Sequence, residues 1–439
     1  MGEEFKQTEI GKIPKEWEVV RLGEVVSVLR NGLTTKQNKE KIGYPVTRIE
    51  TISDETIDQS KFGYLTRVSE KEIKEYGLVK DDILFSHINS LAHIGKTAIY
   101  RGIPRTLLHG MNLLLLRPNK QKVNPVFFLM LLRFLRMKKI FANMSKKAVN
   151  QASINQTELK KLKLPLPPLP EQQKIAEILS TMDEAIEKVD SAIARTERLK
   201  KGLMQELLNG SLRVGESMSL RVRELGEFKD TEIGRIPKEW EVVRLKEVVD
   251  LLRNGLVTKQ NKDEKGIPVT RIETISDERI DTQKIGYIEK ISEEEISEYK
   301  LQKGDILFSH INSLAHIGKT AIYDGEPSLL LHGMNLLLLR PQRTTIEPFY
   351  LLYLLKYYRA KAIFRHMSKK AVNQASINQT ELGRLRIPFP PLPEQQKIAE
   401  ILSTVDKRLE LLREKKEKLE RIKKGLMNDL LTGKKRVVL

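Results

Sequence analysis

The sequence predicts an α+β protein with two globular α+β domains separated by two long α-helices that pack as an antiparallel coiled coil, with an internal pseudo-two-fold. Three observations lead to this prediction. The chain repeats itself at a long, constant offset; each repeat opens with short β-branched runs between Gly- and Asn-containing turns; and each repeat ends in a long segment with apolar residues at heptad spacing.

The repeat spans nearly the whole chain. Trp17 and Trp240 are 223 positions apart, and residues 5–210 align with 228–433 without insertion or deletion. Three blocks are identical in both copies: 85–100, 108–118 and 144–159. Because a solenoid repeats every ~20–50 residues, this period indicates a duplicated domain. A duplication kept only for stability would not need polar loops repeated letter for letter.

The positions of proline and glycine predict where each part of the repeat begins and ends. In each repeat the globular part gives way to a proline-rich stop, which a helix cannot continue through. The predicted divisions are a globular domain at 1–164, a long spacer helix at 165–210, a linker at 211–227, a second globular domain at 228–387, a second long helix at 388–433 and a basic tail at 434–439.

Heptad spacing predicts which residues join the two helices. We expect a seam in which apolar residues recur every three or four positions, with Thr196, Arg408 and Lys415 as polar interruptions. The predicted seam is Ile175, Ile178, Met182, Ala185, Val189, Ala192, Leu199 and Leu203, and in the second copy Ile398, Ile401, Val405, Leu412, Leu419, Ile422 and Leu426.

Composition narrows the function classes. The chain has 77 Lys and Arg against 58 Asp and Glu, a net charge of +19, which favours a polyanionic partner. The absence of Cys excludes disulfides, Cys-ligated zinc and a thiol nucleophile, and favours a cytoplasmic protein. The most apolar run, at 126–135, is too short to span a membrane.

The positive charge is concentrated where polar loops are duplicated. Residues 133–163 hold nine Lys and Arg against one acid, and residues 356–386 hold eight against one. Lysines can neutralise phosphates, whereas Asn and Gln can pair with adenine and Arg with guanine. The predicted DNA-binding residues are Arg30, Asn31, Lys36, Gln37, His87, Asn89, Lys146, Lys147, Asn150, Gln151 and Asn155 in the first copy, and Arg253, Asn254, Lys259, Gln260, His310, Asn312, Lys369, Lys370, Asn373, Gln374 and Asn378 in the second.

Several motifs resemble a known family. The opening Thr8-Glu9-Ile10-Gly11-Lys12-Ile13-Pro14-Lys15-Glu16-Trp17 resembles the start of a target recognition domain in specificity subunits of type I restriction–modification systems. The segments 82–86 and 94–98 are similar to that family as well. The most specific element is Leu164-Pro165-Leu166-Pro167-Pro168-Leu169-Pro170-Glu171-Gln172-Gln173-Lys174-Ile175, which recurs at 387–398.

The resemblance implies a non-catalytic subunit without cofactor or metal. In such a system two target recognition domains each read half of a bipartite duplex DNA site. The helices act as spacer and dock two methyltransferase subunits, and motor–nuclease subunits join for cleavage. The holoenzyme methylates adenine at N6 and is an ATP-dependent endonuclease. The two recognition domains usually differ in this family, whereas here they are closely similar, so we expect a gapped palindrome.

Other interpretations of the motifs have less support in the sequence. Gly95-Lys96-Thr97 lacks the earlier glycine of a phosphate-binding loop, since Ser90 stands there. Asn124-Pro125 resembles a methyltransferase signature, but it is better interpreted as a helix start. Three His pairs, His87/His310, His93/His316 and His109/His332, leave a zinc site open as an alternative to structural or DNA-contacting roles. The alternative function is a coiled-coil scaffold, or a non-specific nucleic-acid-binding protein, outside restriction–modification.

Overall fold

The computed structural model describes residues 5–148, 151–214, 220–221, 227–276, 278–371 and 374–437. It divides into two compact units, Met1–Asp190 with Glu414–Leu439 (unit 1) and Ser191–Arg413 (unit 2). Each unit therefore contains one globular domain, part of the long helix that follows it in sequence, and part of the other long helix.

Unit 1 is built from short strands and a few helices. Its strands are Phe5–Thr8, Gly11–Pro14, Glu18–Arg21, Val26–Asn31, Tyr44–Val46, Ile52–Ser53, Thr56–Ile57, Gly63–Leu65, Ile83–Phe85, Ile88–Asn89, Thr97–Ile99, Leu114–Pro118, Lys146–Ala148, Gln151–Ser153 and Lys163–Leu166. Its helices are Glu70–Tyr76, Pro125–Met137, Ile140–Met144 and Gln156–Lys161, with 3-10 turns at Leu22–Glu24, Ile49–Thr51 and Gln59–Lys61. The first long helix runs over Leu169–Leu208.

A four-stranded antiparallel sheet forms the centre of unit 1. Its strand order is Thr97–Ile99, Ile83–Phe85, Leu114–Pro118 and Val26–Asn31. The leucine run 113–116 is fully buried, as a strand covered on both faces requires. Helix Pro125–Met137 covers one face with apolar side chains that include Phe127 and Phe128.

The segment that begins at Pro125 forms two helices, Pro125–Met137 and Ile140–Met144. Asn124 caps the first one, since its Oδ1 accepts from the backbone N–H groups of Val126 and Phe127, and Pro125 occupies the first helical position. The Asn-Pro pair is thus a helix start. Lys139 takes a left-handed conformation with φ of 60°, which ends the first helix before Ile140–Met144 begins.

Unit 2 repeats this fold. Its strands are Phe228–Thr231, Gly234–Pro237, Glu241–Arg244, Val249–Asn254, Ile267–Val269, Ile275–Ser276, Arg279–Ile280, Gly286–Ile288, Ile306–Phe308, Ile311–Asn312, Thr320–Ile322, Leu337–Pro341, Lys369–Ala371, Gln374–Ser376 and Arg386–Phe389. Its helices are Glu293–Tyr299, Pro348–Ala360, Ile363–Met367 and Gln379–Gly383, with 3-10 turns at Leu245–Glu247, Ile272–Thr274 and Thr282–Lys284. The second long helix runs over Leu392–Leu430, and a short strand pair joins Arg213–Val214 to Leu220–Arg221.

Within each unit the two long helices pack antiparallel. In unit 1, Asp183 lies 2.5 Å from Lys423 and Asp190 lies 2.7 Å from Lys416. The residue numbers therefore increase along one helix in the direction in which they decrease along the other. Unit 2 shows the same direction, with Arg413 2.8 Å from Glu197 and Asp406 2.7 Å from Lys200. The predicted antiparallel pair is confirmed.

The observed seam between the helices matches the predicted seam at every second position. At the positions between, the observed seam residue stands one place later in the sequence than the predicted residue. Leu199 and Ile422 are 53% and 43% exposed, and Arg408 and Lys415 are exposed as well. The buried or half-buried positions at heptad spacing are Leu179, Met182, Ile186, Val189, Ile193, Thr196, Lys200, Leu203 and Leu207 in the first helix, and Leu402, Val405, Leu409, Leu412, Lys416, Leu419, Lys423, Leu426 and Leu430 in the second. Lysines belong to this seam because their heads reach aspartates beside it while their stems pack.

The C-terminal end of each long helix packs on the globular domain of the other repeat. In unit 1, Arg436 donates two hydrogen bonds to the buried carboxylate of Glu171, and Trp17 Nε1 donates a third. Gly433 has φ of +70°, and a Cβ there would lie 2.4 Å from Pro14, so only glycine fits this turn.

Unit 2 contains the equivalent cluster, in which the end of the first repeat packs on the globular domain of the second repeat. Arg213 and Trp240 Nε1 donate to Glu394, and Gly210, with φ of +76°, packs on Pro237. Each repeat therefore supplies the helix end that completes the core beneath the other repeat's tryptophan.

Candidate nucleic-acid interface

A small three-stranded sheet brings two of the predicted DNA-binding loops together in each unit. In unit 1, strands Lys146–Ala148 and Gln151–Ser153 form a hairpin, here called the basic hairpin (146–153, and 369–376 in unit 2). Its second strand also pairs with Ile88–Asn89, with Ile88 opposite Ser153. The segment around His87 is therefore fixed beside the basic hairpin by backbone hydrogen bonds.

The basic hairpin presents polar side chains to solvent on an apolar base. Lys146 and Gln151 are exposed, whereas Ala152 is fully buried. In unit 2, the Lys369 side chain is 75% exposed and lies 3.3 Å from Glu381. Asn150 and Asn373 lie outside the described residues, and Lys147, Lys370 and Gln374 are described only as strand backbone.

Asn155 and Asn378 follow the basic hairpin and begin short helices. The Oδ1 of Asn155 accepts from the N–H of Thr157 at 2.7 Å, and that of Asn378 accepts from the N–H of Glu381 at 2.7 Å. These are N-cap hydrogen bonds. The amide oxygens of both residues are thus already engaged within the fold.

The second predicted loop, at the end of strand Val26–Asn31, is partly tied down. The Arg30 guanidinium lies 4.6 Å from the Tyr76 ring centre and 3.2 Å from Glu75, and Arg253 packs on Tyr299 in the same way at 4.2 Å. Asn31, Lys36, Asn254 and Lys259 are exposed.

Gln37 and Gln260 point into the fold. The Nε2 of Gln37 donates to the Thr47 carbonyl at 3.5 Å, and its Oε1 occupies the space that a side chain on residue 63 would need, which only Gly63 leaves open. In unit 2, the Oε1 of Gln260 accepts from Arg271 at 3.4 Å. These glutamines fix the shape of the loop that carries the exposed lysines.

The predicted histidines and asparagines at 87–89 are mainly internal. His87 and His310 are 7% and 6% exposed, and burial lowers the pKa of each to about 4. His109 is fully buried with Nε2 3.1 Å from the Leu113 carbonyl, and burial lowers its pKa to about 4 as well. Asn89 donates to Ser86 Oγ at 3.1 Å and accepts from the Ser90 N–H.

No group of His, Asp and Glu in the described part of the chain could hold a metal ion. Asn312 repeats the bonds of Asn89, to Ser309 and Ser313.

Sequence reasoning missed two features of this surface because it selected polar residues in basic stretches. A cleft of about 290 Å³ lies beside Lys36, lined also by Arg48, Met111 and Asn112. The turn after strand Ile88–Asn89 exposes Leu91, which lies in a block repeated letter for letter. That identity between the copies was the available signal.

None of the helices described is long and apolar enough to cross a membrane.

Comparison with known proteins identifies the family. The family model for the type I restriction modification DNA specificity domain matches residues 14–193 and again 237–421. A protein of Methanocaldococcus jannaschii with the provisional description "type I restriction enzyme MjaX specificity subunit" is 43% identical over 439 residues, covering 99% of this chain and 97% of its own length. The EcoKI specificity subunit of Escherichia coli is 24% identical over 88% of this chain and 82% of its own length.

A solved structure has the same fold. The S subunit of a type I restriction–modification system from M. genitalium aligns with a TM-score of 0.59 at 15% sequence identity, covering 94% of this chain and 96% of that one. The two matches to the family model coincide with the two repeats and together cover most of the chain. The chain therefore belongs to the family of type I restriction–modification specificity subunits.

Proposed function

We propose that this chain reads a bipartite duplex DNA site whose two half-sites are inverted copies of one short sequence. The observation that carries the proposal is the identity of the exposed loops in the two units. The basic hairpin, the turn after it and the loop at 85–100 have the same sequence, the same strand pairing and the same buried histidine in both. Equal surfaces select equal bases.

The direction of the long helices supports an inverted arrangement. Two equal domains joined by antiparallel helices are most simply related by a two-fold axis across the pair. A two-fold protein matches the dyad of duplex DNA, so each domain reads the opposite strand. The helices then fix the distance between the half-sites, and centres about one helical turn apart (~10 bp) lie on one face of the duplex.

Differences between the units lie outside the basic hairpin. Thr34, Tyr44 and Asn143 correspond to Val257, Ile267 and His366. The Val257 side chain is 77% exposed and Tyr44 is 39% exposed, so these positions could contact DNA. They are the positions at which the half-sites would differ if the palindrome were imperfect.

The partners we propose are double-stranded DNA, two methyltransferase subunits and motor–nuclease subunits, with this chain itself non-catalytic. The outer faces of the long helices offer docking positions at equivalent places in the two copies, since Leu199 and Ile422 are both exposed. Exposed charged residues lie elsewhere along the same two helices, among them Glu187, Lys188 and Arg413.

Binding and capture experiments test this function with the full chain. The affinity for duplex DNA should fall steeply between 50 and 200 mM salt, by about 10³-fold or more if six phosphates are neutralised. The variant Leu199→Glu with Ile422→Glu should fail to capture the co-expressed methyltransferase, whereas Lys201→Glu, on an exposed face of the same helix, should retain it. A chain whose DNA binding hardly responds to salt would be a scaffold instead.

A further inference from the structure

A tight turn exposes the same leucine in both units. Strand Ile88–Asn89 ends in the turn 90–95, which is identical in sequence to 313–318. Leu91 is 48% exposed and Leu314 is 40% exposed. Single exposed leucines are common on protein surfaces, so the exposure alone indicates nothing.

The turn is held firmly in place. The N–H groups of His93 and Ile94 both donate to the Ser90 carbonyl at 2.9 Å, and Ile94 is 2% exposed. Gly95 packs on the Phe141 ring with φ of +73°, and a Cβ there would lie 2.5 Å from that ring. The turn is therefore anchored at its C-terminal end, and Leu91 stands out from a rigid support.

An arginine from the neighbouring helix braces the exposed side of the turn. In unit 1, Arg136 donates to the Ala92 carbonyl at 2.9 Å. In unit 2, Arg359 donates to the Ala315 carbonyl at 3.2 Å, and Arg365 donates to the carbonyl of Leu314 itself at 3.1 Å. One arginine therefore braces the turn in unit 1, and two arginines brace it in unit 2.

Basic residues outnumber acidic ones beside the leucine in unit 2, where Leu314 lines a cleft with Lys356, Arg359 and Arg365 against Glu278. Lys96 directly follows the turn in sequence and Arg136 donates to the Ala92 carbonyl within it, so both cations lie near the turn. The strand that leads into the turn pairs with the basic hairpin, with Asn89 opposite Ala152, so the turn that carries Leu91 begins at the edge of the sheet that contains Lys146 and Gln151. Proteins that deform DNA insert apolar side chains, leucine among them, between base steps.

We propose that Leu91 and Leu314 are wedges that enter the base stack of the bound duplex, one in each half-site. The proposal rests on the DNA-reading function proposed above and adds a deformation of the DNA to it. Unstacking one step would kink the duplex there, so part of the sequence preference would come from how easily that step opens. Pyrimidine–purine steps unstack most readily and are the expected targets.

Fluorescence of 2-aminopurine tests the wedge directly. The full chain, without methyltransferase, is mixed with a duplex that carries the host's mapped methylation target, with 2-aminopurine placed at successive positions other than the methylated adenine. Binding should raise the fluorescence at one step in each half-site by a factor of about three or more as the stack opens. The double variant Leu91→Ala with Leu314→Ala should lose that rise and bind about tenfold more weakly.

Matched variants separate the wedge from other roles. Ile103→Ala removes an exposed apolar side chain on another loop, 70% exposed, and should change neither signal. The conservative Leu91→Met with Leu314→Met should keep the fluorescence rise. Leu91→Lys with Leu314→Lys adds charge, so it should strengthen binding if the turn only lies near phosphates, and weaken it if the leucine is a wedge.

Several results would overturn the proposal. Specific binding without any fluorescence rise would contradict the wedge and leave the DNA-reading function standing. A leucine variant that binds and unstacks DNA normally but loses the methyltransferase would make Leu91 a docking contact. If the chain binds the mapped target no better than random duplex, the DNA-reading function fails, and the wedge fails with it.

Discussion

Lys146 and Gln151 lie on the same hairpin, yet they should affect DNA binding in different ways. Lys146→Ala should weaken binding to all sequences alike and reduce the slope of log affinity against log salt by about one, because one phosphate contact is lost. Gln151→Ala should cost roughly 1–3 kcal/mol on the target and little on random duplex. Salt titrations on both duplexes measure the two effects.

A lysine outside the basic hairpin provides the control for this comparison. Lys71 is exposed on helix Glu70–Tyr76, outside the basic hairpin, and Lys71→Ala should leave the slope unchanged. If the variants at 146 and 151 weaken specific and random binding equally, the division into phosphate and base contacts is wrong.

The buried histidines should make stability depend on pH. In the unfolded chain a histidine binds a proton below its ordinary pKa of 6.5, whereas His87 and His310 stay neutral in the folded protein down to about pH 4. Protons therefore favour the unfolded state as pH falls from 6.5 towards 4, and the stabilising contribution is fully present only above pH 6.5.

Urea unfolding at pH 7 and pH 5 measures this effect. Each of these histidines should contribute a loss on the order of 1–2 kcal/mol at pH 5. His87→Gln with His310→Gln should remove about half of the pH dependence, because His109 and His332 stay buried with lowered pKa values, and His366→Gln, at an exposed position, should remove none. A pH dependence unchanged by the first variant would contradict the assignment.

The sequence allowed the polar positions of the surface to be predicted, but not which of them face outwards. Lys36 and Gln37 are neighbours with similar character, and only the packing of Gly63 shows that Gln37 turns inwards. Asn155 stands three residues before Glu158 at a helix start, a spacing that indicates a cap as readily as a DNA contact. Local pattern cannot separate these roles, because the deciding contacts come from residues distant in sequence.

At the scale of elements, the long helices should act as a ruler. Inserting one heptad into each helix keeps the seam in register and lengthens each helix by about 10.5 Å. The gap between half-sites should then grow by up to about three base pairs while the half-sites stay the same. Methylation mapping of cells that carry the variant reads both quantities; altered half-sites with an unchanged gap would contradict the ruler.

The helices could be predicted almost completely, and their seam only in part. Proline at the start and an unbroken apolar period identify each helix. The prediction assigned seam positions by apolarity, so it took Leu199 instead of Lys200. Lys200 belongs to the seam because Asp406 accepts its charge, and a partner on another helix cannot be recognised from one helix alone.

At the scale of the whole molecule, each repeat contributes the end of its long helix to the globular domain of the other repeat. We therefore predict that the first half of the chain, on its own, forms a dimer in which two copies exchange these helix ends. Residues 1 to about 216 contain Trp17 and Glu171 and also Gly210 and Arg213, which occupy the positions of Gly433 and Arg436. Two copies can therefore exchange ends in the same way. The fragment should be a dimer by sedimentation and should bind the full chain's target.

A variant that removes the arginine paired with the buried glutamate provides the control for this dimer. Arg213→Ala removes the partner of the buried carboxylate, Glu171 in the fragment, and should weaken the dimer by about 3 kcal/mol or more, since a buried acid loses its cation. A monomeric fragment that still binds the target would show that the exchanged ends are dispensable.

Duplication made the fold predictable at this scale, because one repeat predicts the other. The exchange of ends was not predictable, since Trp17 and Arg436 lie at opposite ends of the chain and neither has a local signal for the other. It emerges only when the helices are folded against each other.

Mapping methylated bases across the host genome tests the central claim most directly, because a methyltransferase bound to this chain would mark the sequence that we propose the two units read. We predict two half-sites that are inverted copies of one short sequence, separated by a gap of fixed length. Two unrelated half-sites would contradict the argument from the identical loops, and a direct repeat would contradict the inverted arrangement that we propose.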